Sequence, residues 1–105
     1  MADEIKTIDV TEYENHADTD HILVDVRETD EYAGGHLPGA VNIPLSTFSE
    51  GYTQIPTDKP VMIVCERGGR SMQAAQFLAM QDDYNDIYNL DGGTSGWREA
   101  GKPVE

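Results

Sequence analysis

The sequence predicts an α/β fold with a mainly parallel sheet, and three observations carry that reading. Short apolar runs recur along the chain. Stretches of helical character separate them, the alternation expected of strand–helix–strand units. One run, "VMIVC" (61–65), is apolar throughout, as befits a strand covered on both faces.

In chain order, "IKTI" (5–8) reads as a strand. "VTEYENHA" reads as a short helix capped by Thr11, with Glu14 three residues on. "HILVDV" (21–26), rich in β-branched residues, is the second strand, and a loop connection follows. "VMIVC" comes after Pro60. "SMQAAQFLAMQ" (71–81) is a helix with Ser71 as cap, because Ala74, Phe77, Leu78 and Gln81 share one face. "DIYNL" (86–90) is a further strand, "GG" turns the chain, and "TSGWREAG" gives a short helix capped by Thr94 and ended near Gly101.

At 105 residues the chain fits one domain, 1–105. "MADEIKTIDV" lacks the basic and apolar regions of a signal peptide, and no apolar run is long enough for a membrane span. A lone cysteine forms no internal disulfide, so a cytoplasmic protein is expected. Twenty acidic residues against seven basic give a net charge of −13, a sign that argues against nucleic acid and anionic membrane as partners. The acidity fits a solubilising surface or adaptation to a salty, halophilic cytoplasm. One cysteine and three scattered histidines make no ligand set, so no metal is expected, and no cofactor loop is present.

The cysteine sits in "CERGGRS" (65–71), at the carboxyl end of the buried strand, where sites of open α/β sheets lie. Gly68 and Gly69 permit unusual φ values and close backbone approach. A tight turn there can aim several N–H groups inward as an anion nest. The following helix adds its positive dipole end. Both favour thiolate, the reactive species, over thiol, and Arg67 and Arg70 add positive charge at the rim. The bland alternative is a buried cysteine acting as a small hydrophobe. No second cysteine is present for a thioredoxin-like exchange. No histidine is placed as a base: His16 is in the first helix, His21 opens a strand, and His36 in "GGHLPGA" suits a turn-stabilising hydrogen bond. Phosphoester attack and sulfur transfer remain. Cysteine phosphatases use a Cys-x5-Arg loop; here Cys65 to Arg70 is Cys-x4-Arg, a ring better sized for a persulfide.

Three stretches together resemble the rhodanese family of sulfurtransferases: "VDVRETDEYAGGHLPGAVNIP" (24–44), "CERGGRS", and "NLDGGTSGWREAGKPVE" (89–105). The resemblance implies a five-stranded, mainly parallel sheet flanked by helices on both faces. It implies that Cys65 accepts a sulfane sulfur from thiosulfate or a persulfide and yields it to a thiol or to cyanide. Glu66, Arg67, Gly68, Gly69, Arg70 and Ser71 would form the binding loop, with Asp25 and Arg27 bracing it through an ion pair or backbone hydrogen bonds. Glu31 and Tyr32 are read as a short turn, His36, Gly39 and Ala40 as shaping a connection, and Trp97 as closing the core. A monomer without a cofactor is expected, acting on a small donor and a small or protein thiol.

Two positions depart from the family pattern. Glu66 places a carboxylate beside the cysteine, which should oppose the thiolate and disfavour thiosulfate, so that a neutral residue there should raise thiosulfate turnover. Asp83 stands where a glycine usually ends the preceding helix, and a left-handed aspartate would cost stability. Two rival functions remain, a non-catalytic rhodanese-like binding module and a cysteine-dependent phosphatase or arsenate reductase.

Overall fold

The computed structural model describes residues 5–105. The leaderless reading of the first residues falls, for positions 1–4, outside the described residues. Five strands form one parallel sheet: β1 (Ile5–Asp9), β2 (Ile22–Asp25), β3 (Val41–Asn42), β4 (Val61–Val64) and β5 (Ile87–Asp91). Their order is β1-β5-β4-β2-β3, every neighbouring pair parallel. β4 is central, and its run of apolar residues is divided between two layers. Ile63 and Cys65 point into a core with Val24, Phe48, Ala74 and Leu78. Met62 and Val64 point into the other, with Val10, Tyr13, Leu90 and Trp97. The two-faced burial expected of "VMIVC" follows from this, although the strand ends one residue before Cys65.

Among the described residues four α-helices accompany the sheet: α1 (Thr29–Ala33), α2 (Phe48–Gly51), α3 (Gly69–Ala79) and α4 (Gly93–Glu99). The first helical segment, Val10–His16, is a 3-10 helix rather than an α-helix. Asp9, not Thr11, caps it, because the Asp9 carboxylate accepts the Thr11 amide hydrogen bond at 3.0 Å. Residues 27–60, read from the residues as a loop, hold α1, the two-residue edge strand β3, and short turns of helix around α2.

The two helices beside Cys65 begin earlier than expected, and glycine is the reason. Gly68 takes φ 126 and serves as the N-cap of α3, so the helix starts at Gly69 and Ser71 lies inside its first turn. Gly92, at φ 89, caps α4 in the same way, which frees Thr94 for another partner. The strain expected at Asp83 is absent. α3 ends at Ala79 and unwinds through right-handed turns, Met80 N–H to the Phe77 carbonyl and Gln81 N–H to Leu78. Among the described residues only glycines have positive φ.

Candidate active site

Cys65 follows β4 and opens the turn into α3, so its side chain is fixed by a strand on one side and a helix start on the other. The backbone of this turn is held from outside. The Cys65 carbonyl accepts from Thr94 N–H at 2.9 Å and from the Thr94 hydroxyl at 3.2 Å. The Glu66 carbonyl accepts from Ser95 N–H at 3.0 Å, and that of Arg67 from Gly92 N–H at 3.1 Å. The Gly68 carbonyl accepts from the Ser71 hydroxyl at 3.0 Å and from the Met72 amide at 3.2 Å. In a trans peptide the C=O and the next N–H point in opposite directions, and no cis bond is present among the described residues. With the carbonyls of residues 65 to 67 drawn toward the start of α4 and that of Gly68 into α3, the amides that follow them, of residues 66 to 69, face away from those partners. Gly68 N–H already donates to Cys65 Sγ at 3.0 Å, and the first N–H groups of α3 have no partner within the helix.

This arrangement depends on α4 lying directly against the turn. A Cβ on Gly93 would stand 2.4 Å from the carbonyl oxygens of Cys65 and Glu66, so only glycine admits the contact. The sequence showed Gly92 and Gly93 as a turn; the structure makes them the seat of the loop.

Ser71 is buried with its hydroxyl 3.4 Å from Sγ, 3.0 Å from the Gly68 carbonyl and 2.5 Å from Asn89 Oδ1. It can accept from the thiol and, once the thiol is ionised, turn its one proton toward Sγ. Asn89 went unnoticed in the sequence, yet a polar residue inside the apolar strand "IYNLD" was a signal that something there needed a partner.

The charged side chains form two groups, Asp25–Arg27–Glu66 and Arg70–Glu31. Arg27, buried, donates to both carboxylate oxygens of buried Asp25 and through Nη2 to the Gly35 carbonyl at 2.7 Å. It thus makes the expected ion pair and backbone contact together, and its Nη1 reaches Glu66 Oε1 at 3.2 Å. The other Glu66 oxygen accepts from the Ser95 hydroxyl. That hydrogen bond, with the Arg27 contact, holds the Glu66 carboxyl below its ordinary range. The Glu66 carboxylate, expected to oppose a thiolate, has both oxygens engaged, one by Arg27 and the other by Ser95. Arg70 is not a free rim cation. Its Nη1 and Nη2 donate to Glu31 Oε1 and Oε2 at 2.7 and 3.0 Å, with Glu31 presented from α1 rather than from a simple turn. The expected His36 hydrogen bond is made, Nδ1–H to the Tyr32 carbonyl at 3.0 Å, and Trp97, on α4, is buried in the core.

Cys65 is 1% exposed, and a shallow opening above it is lined by Glu66, Arg67, Gly69, Arg70 and Gln73. A roomier cleft of about 550 Å³ lies by His21 and Trp97, at the amino end of β2. Since β2 and β4 run parallel, that is the opposite end of the sheet from Cys65. None of the residues from Cys65 to Ser71 lines that cleft.

Comparison with known proteins adds to this geometry. The Rhodanese-like domain family model matches residues 9–100. A protein named thiosulfate sulfurtransferase GlpE from Shewanella oneidensis is 38% identical over 78 residues, 74% of this chain and 76% of that protein. A protein named sulfurtransferase from Allochromatium vinosum is 40% identical over 89 residues, 84% of this chain and 82% of that protein. Bacillus subtilis YqhL is 48% identical over 75 residues, 71% of this chain, and this chain spans only 59% of its length. Among solved structures, a rhodanese-related protein from Thermoplasma volcanium superposes with TM-score 0.85 at 29% identity, covering 95% of this chain and 97% of that one.

Proposed function

Because the chain belongs to the rhodanese-like domain family, we propose that it is a sulfurtransferase in which Cys65 carries a sulfane sulfur as a persulfide. The single observation that supports this most is the polarity of the loop: the carbonyls of residues 65 to 67 are tied to the start of α4, and the Gly68 amide already lies 3.0 Å from Sγ. Such donors are preorganised for an anionic sulfur, as an oxyanion hole is for oxygen, and each hydrogen bond to a charged group contributes about 2 kcal/mol.

In the first half-reaction the Cys65 thiolate attacks the outer sulfur of the donor. A new bond forms from Sγ, the donor's sulfur–sulfur bond breaks, and its electron pair leaves with sulfite or with a thiolate. Ser71 donates to sulfur when the thiol proton is gone. The terminal persulfide sulfur then occupies the interior of the turn, facing the amides of residues 66 to 69. In the second half-reaction an acceptor thiolate or cyanide attacks that terminal sulfur, and the bonding pair returns to Sγ. Splitting the transfer through a covalent intermediate replaces one difficult step by two easier ones. On this reading Glu66 to Ser71 bind and position sulfur, and Asp25 and Arg27 brace Glu66 from below. The protein would act as a cytoplasmic monomer, on a small donor and a small or protein thiol.

A second reading, a rhodanese-like binding module with an idle loop, draws on the near-complete burial of the Cys65 thiol. Intact mass separates the two. After incubation with thiosulfate or a thiol persulfide, the sulfurtransferase should gain one sulfur that cyanide removes, and Cys65→Ser should gain none. Absence of an adduct from every donor would favour the binding module.

A further inference from the structure

The sulfurtransferase reading leaves the donor class open, and the ion pairs at the mouth of the loop bear on it. A thiosulfate dianion presents three sulfonate oxygens, and a planar guanidinium fork is the group best matched to them. Arg70, in the first turn of α3, is one of two arginines at the mouth. Its fork is already filled. Both terminal nitrogens point at the two oxygens of Glu31, 2.7 and 3.0 Å away. Glu31 is itself fixed, because its Oε1 also accepts the Glu28 amide at 3.0 Å. The neighbouring guanidinium, Arg27, is buried and shared between Asp25 and Glu66. Among the described residues this leaves Arg67, exposed to solvent, as the loop's one arginine outside an ion pair.

We propose that Glu31 is a specificity-determining residue: by occupying the Arg70 fork it selects a singly charged thiol persulfide over dianionic thiosulfate as sulfur donor. The proposal rests on the sulfurtransferase reading. A thiol persulfide, R–S–S⁻, carries one charge at the sulfur that enters the amide-lined turn and needs no fork at its far end. Its transfer balances simply: Sγ⁻ attacks the outer sulfur, the S–S bond to R–S breaks, R–S⁻ leaves with the electron pair, and Cys65 keeps the persulfide. With thiosulfate the same bond change expels sulfite, SO3²⁻. That leaving charge develops beside an Arg70 already neutralised by a carboxylate.

The test compares kcat/KM for thiosulfate and for 2-hydroxyethyl persulfide, whose far end is uncharged, with cyanide as acceptor. Glu31→Gln keeps an oxygen for the Glu28 amide while removing the charge that holds Arg70. Wild type should prefer the persulfide. Glu31→Gln should shift the ratio toward thiosulfate by about tenfold, chiefly through KM, as one released charge near a bound anion would give. The gain should fade at molar salt, where the screening length falls to about 3 Å. Glu31→Gln/Arg70→Ala should lose it. A Glu31→Gln enzyme that still loads sulfur on Cys65 with an unmoved donor ratio would overturn this proposal alone, as would a wild type that prefers thiosulfate. If wild-type protein takes sulfur from neither donor, the sulfurtransferase reading falls and this proposal with it.

Discussion

At Gly93 a methyl group would meet two loop carbonyls at 2.4 Å, on a backbone already at φ +60. Left-handed backbone costs a non-glycine residue roughly 1–2 kcal/mol, and the overlap must be relieved by moving either α4 or the loop. Gly93→Ala should therefore destabilise the protein by about 3 kcal/mol in urea melts and also slow sulfur loading. A variant that loads as fast as wild type would show that the α4 contact does not shape the loop. The residues at this scale were unevenly legible. Cys65, Gly68 and the arginines stood out because their types and spacing imply a strand-end turn. Thr94, Ser95, Asn89 and Glu31 did not. Each acts on the loop across 18 to 39 positions of sequence, and no local pattern encodes a partner so distant.

Elements were read well where periodicity was long and poorly where it was short. β2, β4, α3 and β5 lie within two residues of their expected spans, since apolar runs and an eleven-residue helix leave clear patterns. α1 and β3, five and two residues long, carry too few positions for any period to show. Yet α1 carries Glu31, whose carboxyl is lowered from the ordinary 4.5 to about 2, first by its hydrogen bond from Arg70. A depressed carboxyl contributes stability that is present above 4.5 and lost as pH falls toward 2. Wild type should accordingly lose melting temperature across that window more steeply than Glu31→Gln, which has nothing there to protonate. Parallel acid limbs in the two proteins would mean that the α1–α3 ion pair gives no net stability. Because both partners are about one-third exposed, the difference should be small.

For the molecule as a whole, the sheet order puts β4 at the centre with Cys65 at its carboxyl end, and helical segments on both faces bury the strand beneath it. The surface carries the remaining message of the sequence, a net charge of −13. Self-repulsion on that scale opposes the compact state and is screened by salt. The urea midpoint should rise from low to molar salt; an indifferent midpoint would remove any link between the acidity and a saline interior. Amide NMR reads the loop most directly. When Cys65 is loaded with one sulfur, the backbone amide protons of residues 66 to 69 should move downfield together and return when cyanide strips it. Sulfur present on Cys65 by mass, with those four amides unmoved, would contradict the account.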